Sequence, residues 1–171
     1  VWVLTSTKKS TLRRIGFYIS YMLMAIIAGF FCKKRYDVVF ATSPPLFVGI
    51  SGYVLSRLKG ASFLFDVRDL WPSAAVALGE LSNEKIIKIA ERVERFLYDK
   101  AKAISAVTEG FIKYIVDLGI KSSKLYHIPN GTIPEIFDPS DIDLNLKVKL
   151  GLEGKFIVTF AGNHGLAQGL E

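Results

Sequence analysis

The residues best equipped for chemistry are Asp66-Val67-Arg68-Asp69-Leu70-Trp71-Pro72, which continue directly from the apolar run Ser62-Phe63-Leu64-Phe65. Two carboxylates and a guanidinium can form a charge-coupled set that accepts hydrogen bonds from sugar hydroxyls, with Trp71 as an apolar platform. The same residues also suit a salt-bridged loop in which Trp71 and Pro72 only fill space, and spacing alone leaves both readings open. The second feature is the run FIVTFAGNHGLAQG, residues 156–169, in which an apolar stretch leads into Gly162, Gly165 and Gly169. Glycines there let backbone N–H groups and the start of a helix approach a phosphate closely. The spacing is neither G-x-G-x-x-G nor a P-loop, and a tight strand-to-helix turn explains it equally well.

Other polar residues say less. His127 lies in the apolar run LYHI and reads as a core or edge residue. Asp138, Asp141 and Asp143 read as capping and linker residues, because a metal site needs more converging ligands than this run supplies. Two histidines and one cysteine give no Cys/His metal spacing and no assignable Ser-His-Asp set. The polar residues between Lys85 and Arg95 read as a solvated helix face.

These residues must be held by regular elements, and the chain alternates between two kinds. Strand-like runs occur at residues 36–41 (YDVVFA), 62–66 (SFLFD), 103–107, 125–128 and 156–161, with a further one at 1–5 (VWVLT). Helices are predicted over 46–59, closed by Gly60; over 83–99, capped by Ser82 with Ile86, Ile89, Ala90, Val93 and Leu97 on one face; over 109–118, closed by Gly119; and over 142–150. Nearly continuous apolar strands alternating with helices predict an α/β fold, a Rossmann-like parallel sheet with helices on both faces. Such sheets bind ligands beyond the carboxyl ends of their strands, so the loops after Ala41, Asp66, Val107 and Ala161 are the places for a site.

Charge is distributed unevenly along the 171 residues. Residues 1–35 hold Lys8, Lys9, Arg13, Arg14, Lys33, Lys34 and Arg35 and no acid, leaving 15 basic against 16 acidic residues elsewhere. A local basic segment does not fit a protein that tracks a nucleic-acid backbone, but it does fit a local anionic surface. Between its two clusters, residues 15–32 (IGFYISYMLMAIIAGFFC) carry no charge. This stretch reads as a short membrane-spanning helix, as an interfacial helix held at an anionic leaflet, or as a core helix. It lacks the cleavage site of a signal peptide. The lone Cys32 gives no sign of an oxidising compartment.

In order along the chain, DVVFATSPP, FLFDVRDLWP, ERFLYDKAKAISAVTEG, LYHIPNG and IVTFAGNHGLAQGLE resemble the family 4 glycosyltransferases of the two-domain GT-B type. Within that family the resemblance is to bacterial enzymes that add N-acetylated amino sugars, such as N-acetylfucosamine, in O-antigen and capsule synthesis. It implies a retaining transfer from a nucleotide-sugar to a polyprenyl-diphosphate-linked or glycan acceptor, with no metal or cofactor, at the cytoplasmic face of the membrane. Arg68-Asp69 stands where the family usually has His-Asp, as in the amino-sugar subgroup, which implies that Arg68 and Asp69 are the catalytic pair. Asp66, Trp71, Thr108 and Asn130 are then acceptor-side residues, and Gly162, Asn163 and Gly165 approach the donor diphosphate.

Residues 1–140 are accordingly expected to be an acceptor-side domain and 141–171 the start of a donor-binding one, with 129–140 (PNGTIPEIFDPS) between them. The chain reads as cut at both ends: no methionine precedes the strand-like run at 1–5, and Glu171 stops where a helix should open. The isolated chain is therefore expected to transfer no sugar. Two rival readings are a non-catalytic module that docks on a membrane or partner, and a nucleotide-sugar epimerase of the same architecture.

Overall fold

The structure, a computed structural model, describes residues 2–5, 11–138, 143 and 145–169. Lys8, Lys9, Asp141 and the expected helix start at Ile142 lie outside them. The chain divides into two compact units, Val1–Pro129 and Asn130–Glu171.

In the first unit, β1 (Val38–Ser43), β2 (Ser62–Val67), β3 (Ala103–Ala106) and β4 (Leu125–His127) form a parallel sheet in the order β1-β2-β3-β4. Flanked by helices, it is the Rossmann-like α/β sheet that the alternation predicts. The intervening helices are α2 (Leu46–Lys59), α3 (Ser73–Ala77), α4 (Glu84–Lys100) and α5 (Glu109–Asp117), and α1 (Thr11–Phe31) precedes β1. Parallel neighbours cannot be joined by a tight turn, and a crossover helix lets each strand start again at the same edge. Alternation along the strands decides the packing. Ala41, Phe63, Phe65, Val67, Ile104 and Ala106 are buried in one core with Leu97, Tyr98 and Ile115. Glycines in α2 allow the helix to sit close: a Cβ on Gly52 would lie 2.6 Å from Ala41 Cβ, and one on Gly49 would lie 2.8 Å from the Phe65 ring.

Helix ends follow local chemistry. Gly60 closes α2 at φ 67°, a left-handed conformation that costs glycine little. Asn83, rather than Ser82, caps α4, accepting from the backbone N–H groups of Lys85 and Ile86. Two further details of α4 correct the sequence reading. Its buried face is Ala90, Glu94, Leu97 and Tyr98, while Ile86 and Ile89 are exposed. Glu94 turns inward because polar partners await it there, so the stretch between Lys85 and Arg95 is not a solvated face throughout.

The apolar helix α1 runs beside α2 in the same direction. Tyr18 stacks on Phe47 with ring centroids 5.9 Å apart, Ser51 Oγ donates to Met22 O, and Lys59 Nζ donates to Phe30 O and Cys32 O. α2 begins just beyond the carboxyl end of β1, so the Thr11 end of α1 lies toward the carboxyl edge of the sheet. The side of α1 away from α2 exposes Ile19, Leu23, Ile27, Phe30 and Phe31, the last at 73%. Among the described residues no helix is long and apolar enough to cross a membrane.

Two expected strands are absent. Residues 2–5 form none; Leu4 N instead donates to Ser20 Oγ of α1 at 3.0 Å. Residues 156–161 form none either, and Phe156 and Val158 are exposed. A strand exists only through bonds to a neighbour, and neither run has one among the described residues. The second unit contains α6 (Leu146–Lys149), shorter than the helix predicted over 142–150, and 3₁₀ turns at Pro134–Phe137 and Leu166–Gln168.

Candidate active site at the carboxyl edge of the sheet

β2 ends at Val67, and the chain carries Arg68, Asp69 and Trp71 across the carboxyl edge into α3. The ladder fixes where this segment starts: Asp66 pairs with Thr42 on one side and Ser105 on the other, and Arg68 N donates to Ser43 O at 3.1 Å. Asp66 is buried, and both of its oxygens are used. Ser105 Oγ donates to Oδ1 at 2.6 Å, and Arg68 Nε donates to Oδ2 at 3.1 Å. An inward carboxylate bonded on both sides is a rigid post, and it holds a guanidinium whose side chain is 55% exposed. Asp69 beside it is exposed, and Trp71 is half-buried against the core.

Asp66 and Arg68 are thus joined, and Asp69 and Trp71 follow them in the segment that leaves β2 at the carboxyl edge. Ser105 is a member that sequence reading missed, because its only signal is the register between β2 and β3. Thr108 leaves from the same edge after β3, but its hydroxyl already accepts from Phe111 N at 3.2 Å as the cap of α5. His127 is exposed on β4 at the side of the sheet.

Asn130, Gly162, Asn163 and Gly165 belong to the second unit, where all four are exposed. One of the expected phosphate donors is taken: Gly165 N donates to Gln168 Oε1 at 2.9 Å. The Phe160 and His164 rings lie edge to face at 5.4 Å. Asp143 does not cap α6, whose N-cap is Asn145; it accepts from Asn145 N at 3.0 Å and pairs with Lys149 at 2.7 Å. Among the described residues no group of three or more His, Cys, Asp or Glu is placed to hold a metal ion. A hollow of about 350 Å³ lined by Tyr53, Ser56, Arg57 and Lys100 opens at the amino ends of the strands, away from Asp66 and Trp71.

The family model for the glycosyl transferase 4-like domain matches residues 10–131, which include α1, the whole sheet and the cluster at its carboxyl edge. The chain belongs to this family. Comparison with curated proteins gives no match. Membership in a glycosyl transferase family makes the chain part of a transferase that acts between a sugar donor and an acceptor. Ligands of such sheets bind beyond the carboxyl ends of their strands.

Proposed function

We propose that the chain supplies the acceptor-side wall of a retaining glycosyltransferase in bacterial surface-polysaccharide synthesis. The donor is a nucleotide-sugar, an N-acetylated amino sugar on the strength of the resemblance, and the acceptor is a polyprenyl-diphosphate-linked sugar or a glycan. The observation that carries this reading is the Ser105-Asp66-Arg68 bond chain beside exposed Asp69, inside the segment that matches the family.

In this reading Asp66 fixes Arg68, and the guanidinium presents its free N–H groups to acceptor and sugar oxygens. Asp69 accepts from a sugar hydroxyl, and Trp71 stacks below a ring. Thr108 and Asn130 border the acceptor through their backbone and remaining polar atoms. Gly162, Asn163 and Gly165 approach the donor diphosphate with backbone N–H groups, so that the leaving group is stabilised without a metal or other cofactor. Residues 1–140 are then the acceptor-side domain and 141–171 belong to the donor-binding one, while the compact units divide at Pro129.

The exposed apolar stripe of α1, with basic residues at both ends, supports peripheral attachment to the cytoplasmic leaflet. The direction of α1 favours this role, because its basic start lies toward the edge that would meet a lipid-linked sugar. Replacing Lys8, Lys9, Arg13 and Arg14 with glutamine is expected to lower co-sedimentation with anionic liposomes, and unchanged co-sedimentation removes the membrane part of the reading. The same stripe is what favours the alternative of a docking module without chemistry.

A radiolabelled nucleotide-sugar assay with a lipid-linked acceptor separates the readings. A protein joining these residues to a donor-binding domain is expected to transfer label to lipid, while residues 1–171 alone transfer none. Isomerised sugar in place of transfer points to an epimerase, and neither product points to the docking module.

A further inference from the structure

Glu94 sits near the middle of α4 with its side chain turned into the protein, 2% exposed. Tyr98, one turn on, donates its hydroxyl to Glu94 Oε1 at 2.9 Å, and the Tyr114 hydroxyl of α5 adjoins the same carboxyl. The Tyr114 hydroxyl lies 2.7 Å from Ser73 Oγ. Ser73 opens α3, two positions after Trp71 and four after Asp69. A polar chain thus runs from α4 through α5 to the segment that leaves β2, within a face whose other buried members, Ala90 and Leu97, are apolar. A buried carboxyl is costly unless its partners satisfy it, and a hydrogen-bonded chain fixes geometry more narrowly than apolar contact does.

We propose that Glu94 is a positioning residue for the cleft wall: through Tyr114 and Ser73 it sets where α3 begins, and with it the placement of Trp71 and Asp69. Only the purpose of that wall rests on the glycosyltransferase reading; the linkage itself does not.

The direction of the chain depends on the proton Glu94 holds. An ionised Glu94 only accepts, so Tyr114 donates to it and Ser73 in turn donates to Tyr114. A protonated Glu94 can donate to Tyr114, whose own proton is then free for Ser73. Burial, with the charge of Glu91 adding to it and the bonds from Tyr98 and Tyr114 opposing it, pushes the carboxyl up to about 7. The titratable groups facing it are Glu91 and Tyr98 on α4 and Tyr114 on α5; α3 contributes the neutral Ser73. The reversal therefore falls close to neutral pH.

The test uses the intact chain with Trp2→Phe, so that emission reports Trp71 alone. Its fluorescence, followed from pH 5 to 9, is expected to change with a midpoint within about one unit of 7. Glu94→Gln keeps the hydrogen bonds without the titration and should flatten that change. Ser73→Ala leaves Glu94 and its tyrosines in place but cuts the chain, and should flatten it as well. A flat profile in the parent, or a midpoint that persists in Ser73→Ala or in a folded Glu94→Gln, overturns the proposal. Persistence would assign the signal to another group. No sugar enters this experiment, so its failure leaves the transferase reading untouched, and failure of sugar transfer leaves this proposal untouched.

Discussion

Phe65 and Phe156 stand in apolar runs of the same type, SFLFDV and FIVTFA, yet one is 1% exposed and the other 94%. The first run lies between two parallel neighbours, with Phe65 paired to Ala41 and Ile104 and covered by α2 and α4. The second has no neighbour among the described residues and takes no strand conformation. Hydrophobicity and β-branching mark a segment that can become a strand; the ladder bonds and the covering helix make it one.

Mutations that measure this difference should give effects of very different size. Phe65→Ala empties a packed site between α2, α4 and the sheet, and should cost about 3–5 kcal/mol in chemical denaturation. A loss below about 1 kcal/mol would mean that the first unit is not packed as described. Glu94 comes next. Its folded value of about 7 lies above the ordinary 4.5. Between those values the folded chain holds a proton that the unfolded chain has released, so stability falls as pH rises from 4.5 to about 7 and levels off above. That fall is on the order of 3 kcal/mol, and because Glu94→Gln abolishes it, the difference between the two stability profiles should show it. Parallel profiles would place the titration elsewhere. Phe156→Ala should stay within about 0.5 kcal/mol; a core-sized loss would show that residues 156–161 are packed, and would erase the contrast with Phe65.

The contrast also explains what could be read from the sequence. β1 to β4 and helices α2, α4 and α5 were legible because each carries its own period and its own stop: Gly60 and Gly119 end α2 and α5 where left-handed glycines are needed. Pairing was not legible. The runs at 1–5 and 156–161 have the composition of strands, and only a neighbour could decide their state. The site divides along the same line. Asp66 and Arg68 were found because a dense charged run directly follows an apolar strand, where such sheets bind ligands. Ser105 is 39 residues from Asp66 and reaches it only through the β2-β3 register. Glu94 sits in a run of charged residues, and only its neighbours Tyr98 on α4 and Tyr114 on α5 distinguish it from the solvated ones around it. Thr108 lies at the expected edge, but its hydroxyl is occupied as a helix cap.

The claim on which all of this turns is that Arg68, braced by Asp66, forms a sugar-binding wall with Asp69. It is tested most directly by titrating the Trp2→Phe chain with a short polyprenyl-diphosphate-linked amino sugar while following Trp71 emission. Saturable quenching is expected, weakened roughly tenfold or more in Arg68→Ala and in Asp69→Asn, which corresponds to about 1.4 kcal/mol of lost binding for each. Emission that does not respond, or equal affinity in the parent and both variants, would contradict the account.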